Sequence, residues 1–248
     1  MTEVLERGDI FWFYRPRVGV DEVRDLDDVQ RFFFILGPDG TSRYRRLVVG
    51  RKRMPDAASH EREWAFVAEV TDDPEELRDD IEPVRYATKT RGERIVAAAR
   101  PAGEGRYLIA DHDGHTHLAT ALELPSATGP VQRRFGITEQ ASYIVAVRNP
   151  DADVPPGAGL PRERRADFPP ELRERFGGRR FAPLNPPSFL DYPGAEIVLI
   201  GAATAAEQEL GVELDAEQER LGEADVFAKL GLLPGDVPVE HLARGEWR

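Results

Sequence analysis

Arg106-Tyr-Leu-Ile-Ala-Asp-His112, Asp113-Gly114, His115-Thr-His-Leu-Ala-Thr-Ala-Leu-Glu-Leu124 is the stretch on which the fold turns. Two strand-like runs flank an Asp-Gly pair. Both central residues of a type I′ turn need positive φ, and Asp-Gly adopts that conformation readily, so the stretch predicts a tight β-hairpin. In that register His112 and His115 oppose one another, with Cβ atoms ~4.5–5.5 Å apart on one face. His117 lies two residues on and shares the face, together with Ala110, Ala119 and Ala121. Tyr107, Ile109, Leu118, Leu122 and Leu124 mark the other face as the core side.

The flanking chain repeats the strand signal. Ile10–Tyr14, Val29–Leu36, Tyr44–Gly50, Trp64–Val70, Ser142–Val147 and Glu196–Gly201 are short apolar runs bounded by Gly, Pro and Asp. Gly37-Pro38-Asp39-Gly40 joins the second and third as a hairpin. The consecutive Phe32, Phe33 and Phe34 predict a strand buried on both faces. Asp73-Pro74 with Glu76 signals a short helix to about Ile81, and Pro169–Phe176 a second one ended by Gly177. Ten of the 20 prolines fall between Pro150 and Pro193, yet Phe168, Phe176, Phe181, Phe189, Leu190 and Tyr192 make that segment too apolar to stay solvated. It is expected to pack. Ala203 to Leu233 reads as helical, with Leu210, Leu214, Leu221 and Phe227 inward and Gly211, Gly222 and Gly231 as weak points.

The expected fold class is α+β: a strand-rich, mostly antiparallel N-terminal body, with closure into a barrel left open, a packed Pro-rich segment and C-terminal helices. The expected division is a main domain over 1–202, including the Pro-rich 150–193, and an acidic helical extension over 203–248. Regular βαβ alternation and a Gly-x-Gly-x-x-Gly turn are both missing, which argues against a doubly wound nucleotide fold.

Composition narrows the function classes. The 248 residues carry 33 basic and 45 acidic side chains, a net charge of −12, which disfavours whole-surface affinity for nucleic acid or anionic membrane. With no cysteine, disulfides, thiolate metal sites and cysteine nucleophiles are excluded. No apolar run approaches the ~18–20 residues of a spanning helix, and Met1 to Asp9 lacks the apolar core of a secretory signal. A soluble cytoplasmic protein is expected.

Two constellations could carry chemistry. His112, His115 and His117 could supply three imidazoles to zinc or a similar divalent metal, leaving a fourth position for an acidified water. A polar hairpin tip without a ligand is the plain alternative, since His-Glu-x-x-His is absent. The second constellation is basic, in Arg43-Tyr-Arg-Arg-Leu-Val-Val-Gly-Arg-Lys-Arg53 and Lys89-Thr-Arg-Gly92, with Arg179-Arg180 after Gly177-Gly178 as a third cluster. Guanidinium groups and Gly-loop amides suit phosphate or carboxylate. Only three of the basic residues are lysine, a bias that codon supply from a GC-rich genome explains, so position counts for more than number.

The preferred expectation is a non-enzymatic binding protein for an anionic ligand, a nucleotide or nucleic-acid segment, held by Arg45, Arg51, Arg53, Lys89 and Arg91. Two alternatives stay open. One is a metal-dependent hydrolase built on the three histidines. The other is an interaction component whose acidic 203–248 segment meets a protein partner or a second copy.

Overall fold

The computed structural model describes residues 1–88, 92–153, 159–216, 224–230, 232, 242 and 244–247. Among the described residues there are eleven strands: β1 (Glu3–Pro16), β2 (Val29–Pro38), β3 (Tyr44–Val49), β4 (Arg62–Thr71), β5 (Val84–Thr88), β6 (Gly92–Val96), β7 (Arg100–His112), β8 (His115–Leu124), β9 (Gln140–Arg148), β10 (Phe181–Pro183) and β11 (Glu196–Ala203). Among the described residues four short α-helices accompany them: α1 (Pro130–Phe135), α2 (Pro170–Glu174), α3 (Ala206–Leu210) and α4 (Asp225–Lys229). The order β9-β11-β4-β3-β2-β1-β7-β8 returns to β9, and every neighbouring pair is antiparallel. This is a closed eight-stranded barrel. β5 and β6 form a separate hairpin.

The β7–β8 turn has the geometry that its sequence demands. Asp113 and Gly114 have φ of 48° and 83°, and His112 opposes His115. Alternation then divides the strands between inside and outside. Ile10, Trp12, Tyr14, Phe32, Phe34, Leu47, Val49, Tyr107, Ile109, Leu118, Tyr143, Val145, Ile197 and Leu199 meet in the interior. An eight-stranded barrel is just wide enough for side chains to fill, and large aromatics fill this one. Burying each stabilises the fold by about 1.5–3 kcal/mol. Leu124 departs from the expected core face: a register shift between Glu104 and Gly105 carries it into an outer cluster.

Both barrel ends are closed by intervening chain. At the end where β1 finishes, α1 inserts Phe135, whose ring lies 5.1 Å from that of Tyr14 and 4.7 Å from that of Phe32. At the end of the β7–β8 turn, the Pro-rich segment contributes Phe168, Leu172, Phe176, Leu184, Phe189 and Leu190 to the same core. Three rings of this set, Phe168, Phe176 and Phe189, pack mutually at 5.1–6.0 Å.

The outer wall is covered as well. Phe11, Phe13, Phe33 and Ile35 point outward, beneath Leu77, Ile81, Val226, Leu230 and Leu232. Phe32, Phe33 and Phe34 are thus buried on both faces of β2. Glu104, itself buried in the wall, accepts the backbone N–H groups of Asp225 and Val226, each at 3.0 Å. Tyr44 donates to the Lys229 carbonyl at 2.9 Å, and Lys229 pairs with Asp9 at 2.7 Å.

The helical content is smaller than α+β implies. Residues 76–80 form a 3₁₀ turn, and α3 stops at Gly211, which takes φ of 67° as a left-handed cap. The helical reading from Ala203 to Leu233 is thus interrupted at Gly211, one of its expected weak points; Leu221, Gly222 and Gly231 lie outside the described residues. No helix among the described residues is long and apolar enough to cross a membrane.

Candidate functional site

The histidine face of the hairpin looks outward. Leu108, Ala110, Ala119 and Ala121 share it, and the space above these small side chains is taken by Ala206, Leu210 and Leu214. His117 is buried beneath this cover, its Nδ1 2.9 Å from Ser142 Oγ and 3.9 Å from Glu209 Oε2. Burial lowers the His117 pKa; Glu209 acts in the opposite direction, and His112 and His115 reinforce the fall. His112 Nδ1 lies 2.8 Å from Thr2 Oγ1, while the Thr2 hydroxyl donates to the Leu210 carbonyl. With its one proton committed there, the hydroxyl can only accept from His112, which assigns the proton of that ring to Nδ1. The His112 and His117 rings meet edge to face at 5.8 Å, and His115 projects from the exposed tip. Among the described residues no three His, Asp or Glu side chains converge closely enough to hold a metal ion.

The expected anion ligands are dispersed rather than gathered. Arg45 points into the barrel and is buried, its Nε 2.7 Å from Asp191 and its Nη1 2.7 Å from Glu6. Burial opposes its charge, but Glu6 and Asp191 outweigh that penalty and raise its pKa. Tyr107 donates to the same Glu6 oxygen at 2.8 Å, and Arg43 reaches Asp191 at 3.0 Å. Arg51 and Arg53 lie in the turn past the far end of β3, which itself runs ~13 Å beyond Arg45 at the rise of an extended chain. Arg53 pairs with Glu61 at 2.5 Å and Arg51 with Glu63 at 3.2 Å. The Asp56 amide, together with Arg53 and Arg51, holds the Glu61 carboxyl below its ordinary value, whereas burial raises that of Glu63. Lys89 and Arg91 lie outside the described residues.

A different group of side chains does come together, where one edge of β9 changes partner. Residues Ala141, Ser142, Tyr143 and Ile144 pair with β8, whereas Ala146, Val147 and Arg148 pair with β10. The changeover brings the β7–β8 tip beside β10 and α2. Between them lies a pocket of about 400 Å³ lined by Glu3, Asp111, His112, Asp113, Arg175, Arg179 and Asn185, among others. Asp111 is held by Thr116 at 2.8 Å and by the Asn185 amide, both neutral groups. Asp113 lies 3.4 Å from His112 Nε2. Arg179 folds back onto the carbonyls of Phe176 and Arg175, each at 3.1 Å. Neither Arg175 nor Arg179 has an ion-pair partner among the described residues, in contrast to Arg45, Arg51 and Arg53.

Of these, the histidines and Arg179 were legible as separate clusters in the sequence. Glu3, Arg175 and Asn185 were not, because their approach depends on the short β9–β10 pairing and on the path of the Pro-rich segment. A second pocket, of about 470 Å³, lies at the opposite end beside α1 and includes Arg53 and Arg133. There Arg53 is neutralised by Glu61, while Arg133, like Arg179, donates to a backbone carbonyl, that of Thr128. Neither a protein-family model, nor a curated protein, nor a solved structure matches the chain.

Proposed function

We propose that the protein binds a small anionic ligand, a phosphate or carboxylate compound, in the pocket between the β7–β8 tip and α2. The observation that carries this reading is that Arg175 and Arg179 both line the pocket and neither has an ion-pair partner among the described residues. Guanidinium groups offer paired N–H donors that match oxyanions, and a concave, partly enclosed site strengthens the contact relative to open surface. The pocket is near the lower end of the ~300–1,000 Å³ range usual for small-molecule sites, so the reading concerns a compact ligand rather than a nucleic-acid strand.

The ligand arginines in this reading are Arg175 and Arg179. Arg45, Arg51 and Arg53 are assigned to structure, since each already neutralises a carboxylate. The test is calorimetric titration with inorganic phosphate and with glycerol phosphate at low ionic strength. Binding should weaken about tenfold or more in Arg175→Ala/Arg179→Ala, as expected for loss of two charge-assisted contacts, while the melting temperature stays within about 2 °C, as for an exposed surface change. Absence of binding at low salt would end the proposal, as would equal affinity in the double variant.

A further inference from the structure

The charge in this pocket is divided between its walls. Glu3 and Asp111 are register partners on β1 and β7, so their carboxylates stand side by side on one face. Like charges opposed in this way repel, and the relief they normally find is a cation. No side-chain cation meets this pair among the described residues: Asp111 is held by Thr116 and Asn185, Glu3 has no ion-pair partner, and the Met1 ammonium, which lines the same pocket, lies 3.7 Å from Asp113 instead. Across the pocket, Arg175 and Arg179 present the converse, cations without a carboxylate. Elsewhere the same chain pairs such groups directly, as in Arg45 with Glu6 and Asp191, or Arg148 with Glu196 at 3.1 Å. In the pocket Arg175 and Arg179 face the same space as Glu3 and Asp111 without meeting them.

Resting on the reading above, we infer that the ligand is a small zwitterion, with an oxyanion on the arginine wall and a primary ammonium on the Glu3–Asp111 wall. A short aminoalkyl phosphate or amino acid has this chemistry. A simple phosphate ester would satisfy only one wall and would bring further negative charge toward the carboxylate pair.

Calorimetry with three probes tests the inference: phosphoethanolamine, glycerol phosphate as a comparably sized ester without the amine, and β-alanine as the carboxylate counterpart. Phosphoethanolamine should bind about twofold to fivefold more tightly than glycerol phosphate, the scale of one partly exposed ion pair. Glu3→Gln should abolish that preference and leave glycerol phosphate binding equal or stronger. Binding of β-alanine with the same dependence on Glu3 would support the zwitterion and identify the oxyanion as carboxylate. Equal affinity for the two phosphates, or a preference that survives Glu3→Gln, overturns the inference while the anion reading stands. If none of the three binds, both fall.

Discussion

Replacing Arg45 by methionine separates a structural from a ligand-binding role for this side chain. The guanidinium links Glu6 on β1 to Asp191 in the Pro-rich segment, and both carboxylates are largely withdrawn from water, at 15% and 19% exposure. Removing one partner of a buried ion pair costs about 3–5 kcal/mol, chiefly because the opposite charge is left behind. Two features soften the loss: Tyr107 still donates to Glu6, and Arg43 still reaches Asp191. The lower end, about 3 kcal/mol, is therefore the expected cost. For a chain of this length, about 2–4 °C of melting temperature per kcal/mol translates that into a fall of roughly 6–12 °C. The assay is thermal unfolding of the wild type, Arg45→Met, Asp191→Asn and the double variant. In the double variant the second substitution should cost less than it does alone, because the isolated charge it removes no longer needs a partner. A fall below about 2 °C, within the range of an ordinary surface change, would refute this placement of Arg45. So would loss of phosphate binding with an unchanged melting temperature.

Three other perturbations examine the way the barrel is closed and covered. Glu104→Gln leaves a single carbonyl for the two amides of α4, a cost of about 1–3 kcal/mol; hydrogen exchange at Asp225 and Val226 should accelerate accordingly, and unchanged protection would count against the cap. In Gly105→Ala the new Cβ would sit 1.9 Å from the Ala121 carbonyl oxygen, so β8 must move. Denaturant unfolding should show a loss of at least about 1–3 kcal/mol, and near-neutrality would mean that β7 and β8 lie farther apart. Because burial depresses the pKa of His117, the unfolded chain takes up its proton at a higher pH than the folded one. The stability that neutral His117 contributes is thus full above the unfolded value of about 6.5 and is lost as pH falls through the folded value. His117→Gln should flatten that part of the stability–pH curve, and an unaltered slope would sink the assignment.

What the sequence made legible is local. Asp113-Gly114 specifies its turn through two positive φ angles, and alternation along the adjoining strands separates the histidine face from the core face without reference to distant chain. The triple phenylalanine of β2 announced cover on both sides, although not that its outer cover combines Leu77 and Ile81 with residues beyond 223. The fate of Arg45 was not local, since Glu6 and Asp191 are 39 and 146 positions away. Read beside Arg43 and Arg46 it was one of several basic residues, and only the inward turn of alternate β3 side chains distinguishes it. α1 gave too little periodicity in six residues to register. The C-terminal segment erred in the other direction: apolar spacing suggested a long helix, while Gly211 had already signalled its end.

Closure of the barrel also explains why binding is sought at its rim. The interior is occupied by Trp12, Tyr14, Phe32, Phe34 and their neighbours, so a ligand there would have to displace core side chains. The outer wall over β1, β2, β7 and β8 is occupied in turn by Leu77, Ile81 and the chain after β11. What remains is the boundary where strand lengths do not match. β8 pairs with β9 only as far as Ile144, yet β9 continues to Arg148, and its next backbone groups need partners. The three-residue β10 supplies them, and it can reach that edge only by carrying the end of α2 toward the β7–β8 tip. Backbone hydrogen bonding along β9 thus brings Arg175 and Arg179 to the same pocket as Glu3 and Asp111. The charge division of the pocket is a consequence of how the barrel accommodates strands of unequal length.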